Sequence, residues 1–421
     1  MGRNRVLALL GLWVALSIAL SACQPMATPA APPPAEKAVE TPTPTPVPAE
    51  AISPTPEKFV FGLILVGPKD DRGWSQAHWE AAQYVLEKLP NTELVWIDKV
   101  NSADRPGVTV EQIADDFAAK GAKVIFTTSA EFKDGTNNAA KAHPDIVFIH
   151  ISGDAVLTGE APPNVGNIMG RMEYGKMIAG CAAALTTATG KLGYLGPLID
   201  AETRRLVNST YLGARYCWEH YRQKDPKDLS FTVTWIGFWF NIPGVTLDPT
   251  QVANDFFNAG VDVVLSGIDT TEALVVAGQR AAAGERVFAV PYDYAGACAQ
   301  AEEVCLGVPY FNWGPAYLKT VKAVQEGTWK QSWDWNGPDW QDLNNRDTSA
   351  VGWVDGKALT EENKALLRQF IAGLADGSIV LFKGPLNYQD GTVYLKDGEV
   401  ATDRQIWYTE QLLEGIIGPS R

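Results

Sequence analysis

Apolar runs of strand length alternate with amphipathic stretches of helix length from residue 59 to residue 290. Runs such as Phe59–Val66 are continuously apolar, which is typical of parallel strands buried on both faces. We predict strands at 59–66, 94–97, 123–127, 146–151, 191–195, 231–236, 261–265 and 286–290. We predict helices at 75–89, 109–120, 133–142, 173–188, 203–221, 248–259 and 271–283. Repeated β–α units fold as doubly wound parallel sheets, so the fold class is α/β.

The length of this region predicts two lobes rather than one. Residues 58–421 are more than a single hydrophobic core usually serves. Two doubly wound sheets in tandem would bring the carboxyl ends of their strands together. Ligands of such sheets bind at those strand ends, so we expect a ligand cleft between the lobes.

The first 22 residues have the pattern of a bacterial lipoprotein signal peptide. Arg3 and Arg5 precede an apolar stretch from Val6 to Leu20, which is shorter than a membrane-spanning helix. Small residues then precede Cys23, whose thiol we predict to carry a lipid after cleavage. An ordinary secretory signal with a chance cysteine at the cut is the alternative interpretation. Either pattern predicts that the protein is exported.

Residues 23–57 are predicted to be a disordered tether. This stretch contains eleven prolines, including three in a row at 32–34, and almost no residues that could form a core. Proline-rich chains favour extended polyproline II at roughly 3.1 Å per residue. Such a spacer can hold a folded body away from a membrane surface, so the only contact with the membrane would be the lipid anchor.

The charge and the cysteine content limit which partners, metals and cofactors we expect this protein to bind. The formal charge of −14 argues against nucleic acid and against direct binding to anionic lipid. Beyond Cys23 four cysteines remain, and Cys298 and Cys305, which flank a short acidic loop, are the pair we expect to form a disulfide. Cys181 lies in an apolar run, and its pairing with Cys217 stays open. No cysteine or histidine spacing fits a zinc site, so we expect no metal and no cofactor.

No motif of a hydrolase is present. The chain lacks the phosphate-binding loop Gly-x-x-x-x-Gly-Lys, the zinc motif His-Glu-x-x-His and the nucleophile motif Gly-x-Ser-x-Gly. We therefore expect a binding protein rather than an enzyme. The segment 334–339 has the composition of a calcium loop without its spacing, and we predict a turn-rich surface connection there.

Several short motifs carry a resemblance to a known family. In chain order they lie at 61–64, 70–80, 189–196, 208–215, 312–317, 327–330 and 383–385. Their order and spacing resemble the basic membrane protein family, which comprises substrate-binding lipoproteins of ABC transporters related to purine nucleoside receptors. Trp239-Phe240 and Asn312-Trp313 are most similar to a branch of purine-base binders. The chain departs from the family pattern in a longer segment at 240–247.

The resemblance implies a type I periplasmic binding protein fold, with two lobes joined by three crossing segments. Lobe 1 would comprise residues 58–166 and about 309–345, and lobe 2 residues 167–308 and about 346–421. It also implies ligand contacts from the loops at the strand ends. The residues matched in this way are Asp70, Asp71, Trp74, Phe132, Trp239, Phe240, Asp269, Tyr292, Asp293, Asn312 and Trp313.

The chemistry of these side chains suits a purine. A flat ring with hydrogen-bonding edges needs aromatic faces, which Trp74 and Trp239 or Phe240 could supply, and carboxylates at its rim, such as Asp269 and Asp293. Trp74 could instead be a packing residue, and the two aspartates could be helix N-caps. Phe132 is evenly balanced between the core and the site.

The sequence therefore predicts an exported, lipid-anchored, monomeric solute-binding protein facing the periplasm or the cell exterior. It would capture a purine nucleobase or nucleoside and deliver it to an ABC transporter permease. The alternative is a type I binding domain that senses another small molecule. The choice between nucleobase and nucleoside stays open.

The lipid anchor can be tested directly. Replacement of the acceptor thiol in Cys23→Ser should move the protein from the membrane fraction to the soluble fraction, because no acyl chain can then be attached. Fractionation and palmitate labelling of the wild type and the variant measure this. An unlabelled wild type with an unchanged membrane fraction in the variant would refute the anchor.

Overall fold

The computed structural model describes residues 58–421. The predicted signal peptide, the lipidation site Cys23 and the proline-rich tether lie outside the described residues. Among residues 58–421, none of the helices combines the length and the apolar character needed to cross a bilayer.

Strands and helices alternate through the first two thirds of the fold. They are β1 (Phe59–Leu65), α1 (Trp74–Lys88), β2 (Thr92–Ile97), α2 (Val110–Ala119), β3 (Ala122–Thr128), α3 (Lys133–Ala142), β4 (Val147–Ile151), α4 (Ala155–Thr158), β5 (Val165–Gly170), α5 (Met172–Thr186), β6 (Lys191–Gly196), α6 (Ala201–His220), β7 (Ser230–Trp235), α7 (Pro249–Asn258), β8 (Val263–Ser266), α8 (Glu272–Ala282) and β9 (Phe288–Val290).

The remaining elements are shorter and more mixed. They are β10 (Gly307–Phe311), α9 (Gly314–Gln325), β11 (Trp333–Asn336), β12 (Val351–Asp355), α10 (Glu361–Asp376), β13 (Leu386–Asn387), β14 (Val393–Leu395), α11 (Asp403–Trp407) and β15 (Ile416–Ile417).

Two parallel sheets organise these elements into two lobes. The sheet of lobe 1 has the strand order β11-β5-β4-β3-β1-β2, and the sheet of lobe 2 has the order β15-β7-β6-β8-β9. Every pairing within the two sheets is parallel. The predicted fold class, α/β with two doubly wound lobes, is confirmed. The antiparallel pair β10–β12 lies outside both sheets.

Two strands of the lobe 1 sheet differ from the sequence prediction. The sequence predicts no strand at β5, because the two glycines and one asparagine of this segment weaken the strand pattern. The segment 334–339, predicted as a surface connection, overlaps β11, which pairs with β5 at the edge of the lobe 1 sheet. The alternating polar residues of β11 are typical of a turn, which is why the sequence does not indicate a strand. In the structure Trp335 is buried, and the Arg171 N–H donates to the Asn336 carbonyl across 2.7 Å.

Helices α5 and α6 approach each other more closely than side chains would normally allow. A Cβ atom on Gly180 would lie 1.9 Å from the Thr210 carbonyl oxygen, and one on Gly213 would lie 2.0 Å from the Met177 carbonyl oxygen. Glycine at both positions therefore lets the two backbones touch. A disulfide between Cys181 and Cys217 joins the same pair of helices, with a Cα–Cα distance of 5.2 Å.

The C-terminal segment contacts both lobes. Trp407 packs edge-on against Trp333 and Trp335 at the lobe 1 sheet edge, with ring centroids 4.9 and 5.1 Å away. A few residues later, β15 pairs with β7 in the lobe 2 sheet. The segment thus runs from one lobe to the other across the side chain of Arg205, which lies 4.2 Å from the Trp407 ring and pairs with buried Glu173.

A second disulfide joins Cys298 and Cys305, with a Cα–Cα distance of 5.5 Å. It closes a loop of two short 3₁₀ turns after β9, in the segment that leads to β10. The Cys305 N–H donates to the Glu302 carbonyl within this loop, and the Leu306 N–H donates to the Ala289 carbonyl of β9. The disulfide and these two hydrogen bonds lie along the same connection from β9 to β10.

The two disulfides should differ in their effect on stability. Cys181 and Cys217 are 36 residues apart and Cys298 and Cys305 are 7 apart, and a longer loop restricts the unfolded chain more. The chain-entropy relation gives about 4 kcal/mol for the first pair and about 2 kcal/mol for the second. Urea unfolding of the two double alanine variants should show this order. Equal losses, or a larger loss for the second pair, would contradict it.

Candidate functional site

One cavity lies where the strand ends of the two sheets face each other. The space between its atoms is about 430 Å³, part of it open to solvent. The lining residues that directly follow strands are Val66 after β1, Ser129 after β3, Ser152 after β4, Pro197 after β6 and Gly267 after β8. Both lobes therefore contribute, as the doubly wound topology predicts. We call this cavity the cleft.

Aromatic side chains from both lobes line the cleft. Trp74, at the start of α1 in lobe 1, is buried, and its indole N–H donates to the Thr128 carbonyl across 2.7 Å. Trp239 comes from the loop after β7 in lobe 2, and its indole nitrogen is buried without a hydrogen-bond partner. Tyr194 and Tyr292 complete the aromatic lining. The cleft can therefore contact a flat ligand from both lobes.

The two lobes are in contact at the start of helix α1, so the cleft between them is closed. A Cβ on Gly73 would lie 1.7 Å from the carbonyl oxygen of Asp269, which only glycine permits. The Asp269 N–H donates to the Trp239 carbonyl across 2.9 Å, which ties the two lobe 2 loops together. Phe240 of the same loop packs against the core of lobe 1.

Two buried carboxyl groups line the cleft. Burial raises the pKa of Asp269 well above its ordinary range, and the carboxylates of Asp293, Asp71 and Glu202 raise it further. Burial also raises the pKa of Glu202 to about 7, despite attraction from Arg205. A carboxyl that is neutral near pH 7 can donate one hydrogen bond and accept another.

Asp71 acts on the cleft through helix α1. Its carboxylate accepts from the N–H groups of Gly73, Ser75 and Gln76 at 2.9 Å each, which satisfies donors at the start of the helix. Burial nevertheless raises its pKa to about 6. Asp71 therefore fixes the position of the neighbouring Trp74 and adds negative charge behind the cleft.

Asp293 is fully buried next to the cleft, and neither oxygen of its carboxylate has a hydrogen-bond partner. Burial raises its pKa well above the ordinary range, while Lys176 lowers it. The Lys176 ammonium donates to the Ser266 carbonyl across 2.7 Å and lies 3.2 Å from the Tyr292 ring centroid. The lysine thus supports the back of the cleft wall.

The structure places four of the predicted ligand contacts on the cleft: Trp74, Trp239, Asp269 and Tyr292. Asp71 and Asp293 lie behind the lining. Asp70 is exposed to solvent and Phe132 is buried in the core of lobe 1.

Three further predicted contacts also lie off the cleft. Phe240 packs on Phe238 and on the lobe 1 core. The Asn312 amide donates to the Arg346 and Ser349 carbonyls, so it serves the fold. Trp313 stacks on Phe311 behind Trp74. The assignment of these residues to ligand binding stays a prediction.

Sequence reasoning missed several residues of the lining. The missed residues with polar side chains are Ser129, Ser152, Tyr194, Glu202 and Thr203. Ser129 and Ser152 directly follow strands, so the rule that points to strand ends would have found them. Glu202 lies in the first turn of α6, where an acidic residue is ordinarily explained by the helix dipole. Among residues 58–421, no cluster of three or more His, Cys, Asp or Glu side chains is arranged to hold a metal ion.

The family model described as "ABC transporter substrate-binding protein PnrA-like" matches residues 58–336. The purine-binding protein of Brucella abortus is 30% identical over 351 residues, which cover 83% of this chain and 90% of that protein. A Haloferax volcanii protein named as an ABC transporter glucose-binding protein is 28% identical over 65% of this chain and 63% of its own length. The solute-binding protein of an ABC transporter system from Aeropyrum pernix shares the fold, with a TM-score of 0.62, 15% identity and coverage of 78% of this chain and 93% of that chain.

The raised pKa of Glu202 predicts how stability depends on pH. Between about pH 4.5 and 7 the folded state holds a proton that the unfolded state releases, so this group lowers stability as pH rises. Glu202→Gln should therefore become more stable relative to wild type over that range, by up to about 3 kcal/mol. Urea unfolding of the ligand-free protein at pH 5 and pH 8 measures the difference.

A control separates this effect from those of other groups. Burial lowers the pKa of His78 well below its ordinary value and that of His150 to about 4, which gives the opposite pH slope. Both histidines are common to the variant and the wild type and cancel in the difference. Glu326→Gln, at an exposed position, should show no pH-dependent gain. A gain for Glu202→Gln that is equal at both pH values would contradict the prediction.

Proposed function

The chain belongs to the family of PnrA-like ABC transporter substrate-binding proteins, and we propose that it captures a purine nucleobase or nucleoside and delivers it to an ABC transporter permease. Members of this family are extracytoplasmic binding proteins rather than enzymes. A small-molecule ligand and a transporter partner follow from the family. The purine and the route to the permease are the proposal.

The lining of the cleft is the observation that carries the proposal. Trp74 and Trp239 offer aromatic surface from opposite lobes, and Asp269 and Glu202 offer buried carboxyl groups. Stacking of a base on an aromatic side chain is worth about 1–3 kcal/mol. A purine that contacts both lobes would therefore favour the closed arrangement over the open one.

The carboxyl groups suit the edges of a purine. A purine edge places N–H donors beside ring-nitrogen acceptors, and a protonated carboxyl group can pair with both. Asp269, Glu202, Asp293 and Asp71 together make the cleft unfavourable for an anion, because each raises the cost of a further negative charge. A nucleobase or a nucleoside would be accepted, and a nucleotide phosphate would be rejected.

The similarity to the Brucella abortus purine-binding protein supports the choice of ligand. For the attachment to the cell surface, the sequence pattern around Cys23 supports a lipid anchor. The proline-rich residues 23–57 would let the monomeric protein reach a permease while its anchor stays in the membrane.

A ligand panel tests the proposal. Adenine, guanine, hypoxanthine and their nucleosides should include ligands that raise the melting temperature and give heat in calorimetry, because a ligand bound only by the folded state stabilises it. Adenosine monophosphate should give neither signal. If glucose binds while every purine fails, the purine assignment is wrong and the solute-binding role survives.

Variants of the same loop locate the site. Trp239→Ala should weaken purine binding by about 1–3 kcal/mol, because it removes one aromatic face of the cleft. Phe238→Ala is the matched control, since Phe238 is a half-buried aromatic of the same loop that does not line the cleft. Equal losses for the two variants would place the ligand elsewhere.

A further inference from the structure

A second cavity lies behind the cleft, on the other side of an aromatic wall. The ring of Trp74, which lines the cleft, packs edge-on against Phe311 and Trp313, with centroids 5.5 Å away in both cases. Phe311 and Trp313 stack on each other and line the second cavity. This cavity, which we call the hinge pocket, encloses about 670 Å³ of space between atoms, part of it open to solvent. The two cavities share one wall.

Both lobes and a connecting segment form the hinge pocket. Tyr84 comes from α1 in lobe 1, and Tyr294 comes from the loop after β9 in lobe 2. Tyr310 and Trp313 come from β10 and its junction with α9, where the chain returns from lobe 2 to lobe 1. Because its walls belong to both lobes, any opening of the cleft would change the shape of the pocket.

The polar groups of the hinge pocket include fixed donors. The indole nitrogen of Trp313 is buried without a hydrogen-bond partner. The Arg346 guanidinium lies 4.8 Å from the Tyr84 ring centroid and donates through one nitrogen to the exposed Glu87 carboxylate across 2.8 Å, which leaves its other N–H groups for a ligand. Glu80, the acidic residue of the lining, lies beside the Tyr294 hydroxyl. The pocket thus combines aromatic faces with N–H donors, and the donor of Trp313 has no acceptor within the protein.

We propose that the hinge pocket binds a flat heteroaromatic molecule that carries carbonyl or ring-nitrogen acceptors, and that this molecule holds the lobes closed. The aromatic faces would stack on the ring, and Trp313 and Arg346 would donate to its acceptors. A molecule that fits the pocket in the closed state tightens binding in the cleft, and by linkage the cleft ligand tightens binding in the pocket. The coupling, though not the pocket itself, rests on the proposed function.

Caffeine is a suitable probe for the pocket. It is planar and carries two carbonyls and a ring-nitrogen acceptor, and its methyl groups leave no N–H to pair with the carboxyl groups of the cleft. Calorimetry of the purified full-length protein should show one caffeine site. Ala295→Trp places an indole in the pocket wall and should abolish this binding. Tyr294→Ala removes one aromatic face and should weaken it at least about fivefold.

Phe238→Ala, outside both cavities, should leave caffeine binding unchanged. Absence of caffeine binding, binding that neither pocket variant affects, or displacement of a cleft-bound purine by caffeine would overturn the proposal. Saturating caffeine should also increase the affinity for the purine that the panel identifies, and an unchanged affinity would overturn the coupling. If no nucleobase or nucleoside of the panel binds, the proposed function fails, while the titrations with caffeine, a methylated purine outside the panel, still decide whether the hinge pocket is a site.

Discussion

The close contact between helices α5 and α6 is the constraint on which the cleft depends. Gly180 and Gly213 bring the two backbones together, and the Cys181–Cys217 disulfide joins the same helices. Helix α6 then presents Glu202, Thr203 and Leu206 to the cleft, and α5 presents Lys176 to the back of its wall. A larger residue at either glycine would separate the helices and move both sets of side chains.

The cleft gathers acidic side chains that are almost fully buried: Glu202, Asp269 and Asp293. Each carboxyl group raises the pKa of its neighbours, so the site favours protonated carboxyl groups over a cluster of charges. Lys176 offsets part of this charge from behind Tyr292, although its own pKa is lowered to about 7 by burial. Burying these carboxyl groups without hydrogen-bond partners raises the free energy of the ligand-free protein. A ligand that supplies hydrogen-bond partners would offset this cost.

The sequence predicts the positions of most strands and helices up to β9, because continuous apolar runs and helical periodicity are local signals. The rule that ligands bind at strand ends also leads to Trp74, Trp239, Asp269 and Tyr292. This rule does not find Glu202, because the burial of Glu202 depends on lobe 1 residues such as Ser152 that are distant in sequence. Asn312 has the right residue type, yet two carbonyls from a later loop occupy its amide. Strand β11 likewise becomes recognisable only through its pairing with β5.

The order in which the chain contributes its strands has a consequence for folding. In the edge strand β15, Ile416 pairs with Phe231, and in β11, Trp333 pairs with Asn167. Each sheet therefore includes a strand that is far along the chain from its neighbour. The lobe 1 sheet cannot be completed before residue 336 has been made, and the lobe 2 sheet cannot be completed before residue 417 has been made. Contacts of such long sequence separation slow folding and leave strand edges exposed meanwhile. Pairing of β15 covers one edge of β7, and loss of residues 416–417 would leave that edge of the lobe 2 sheet exposed.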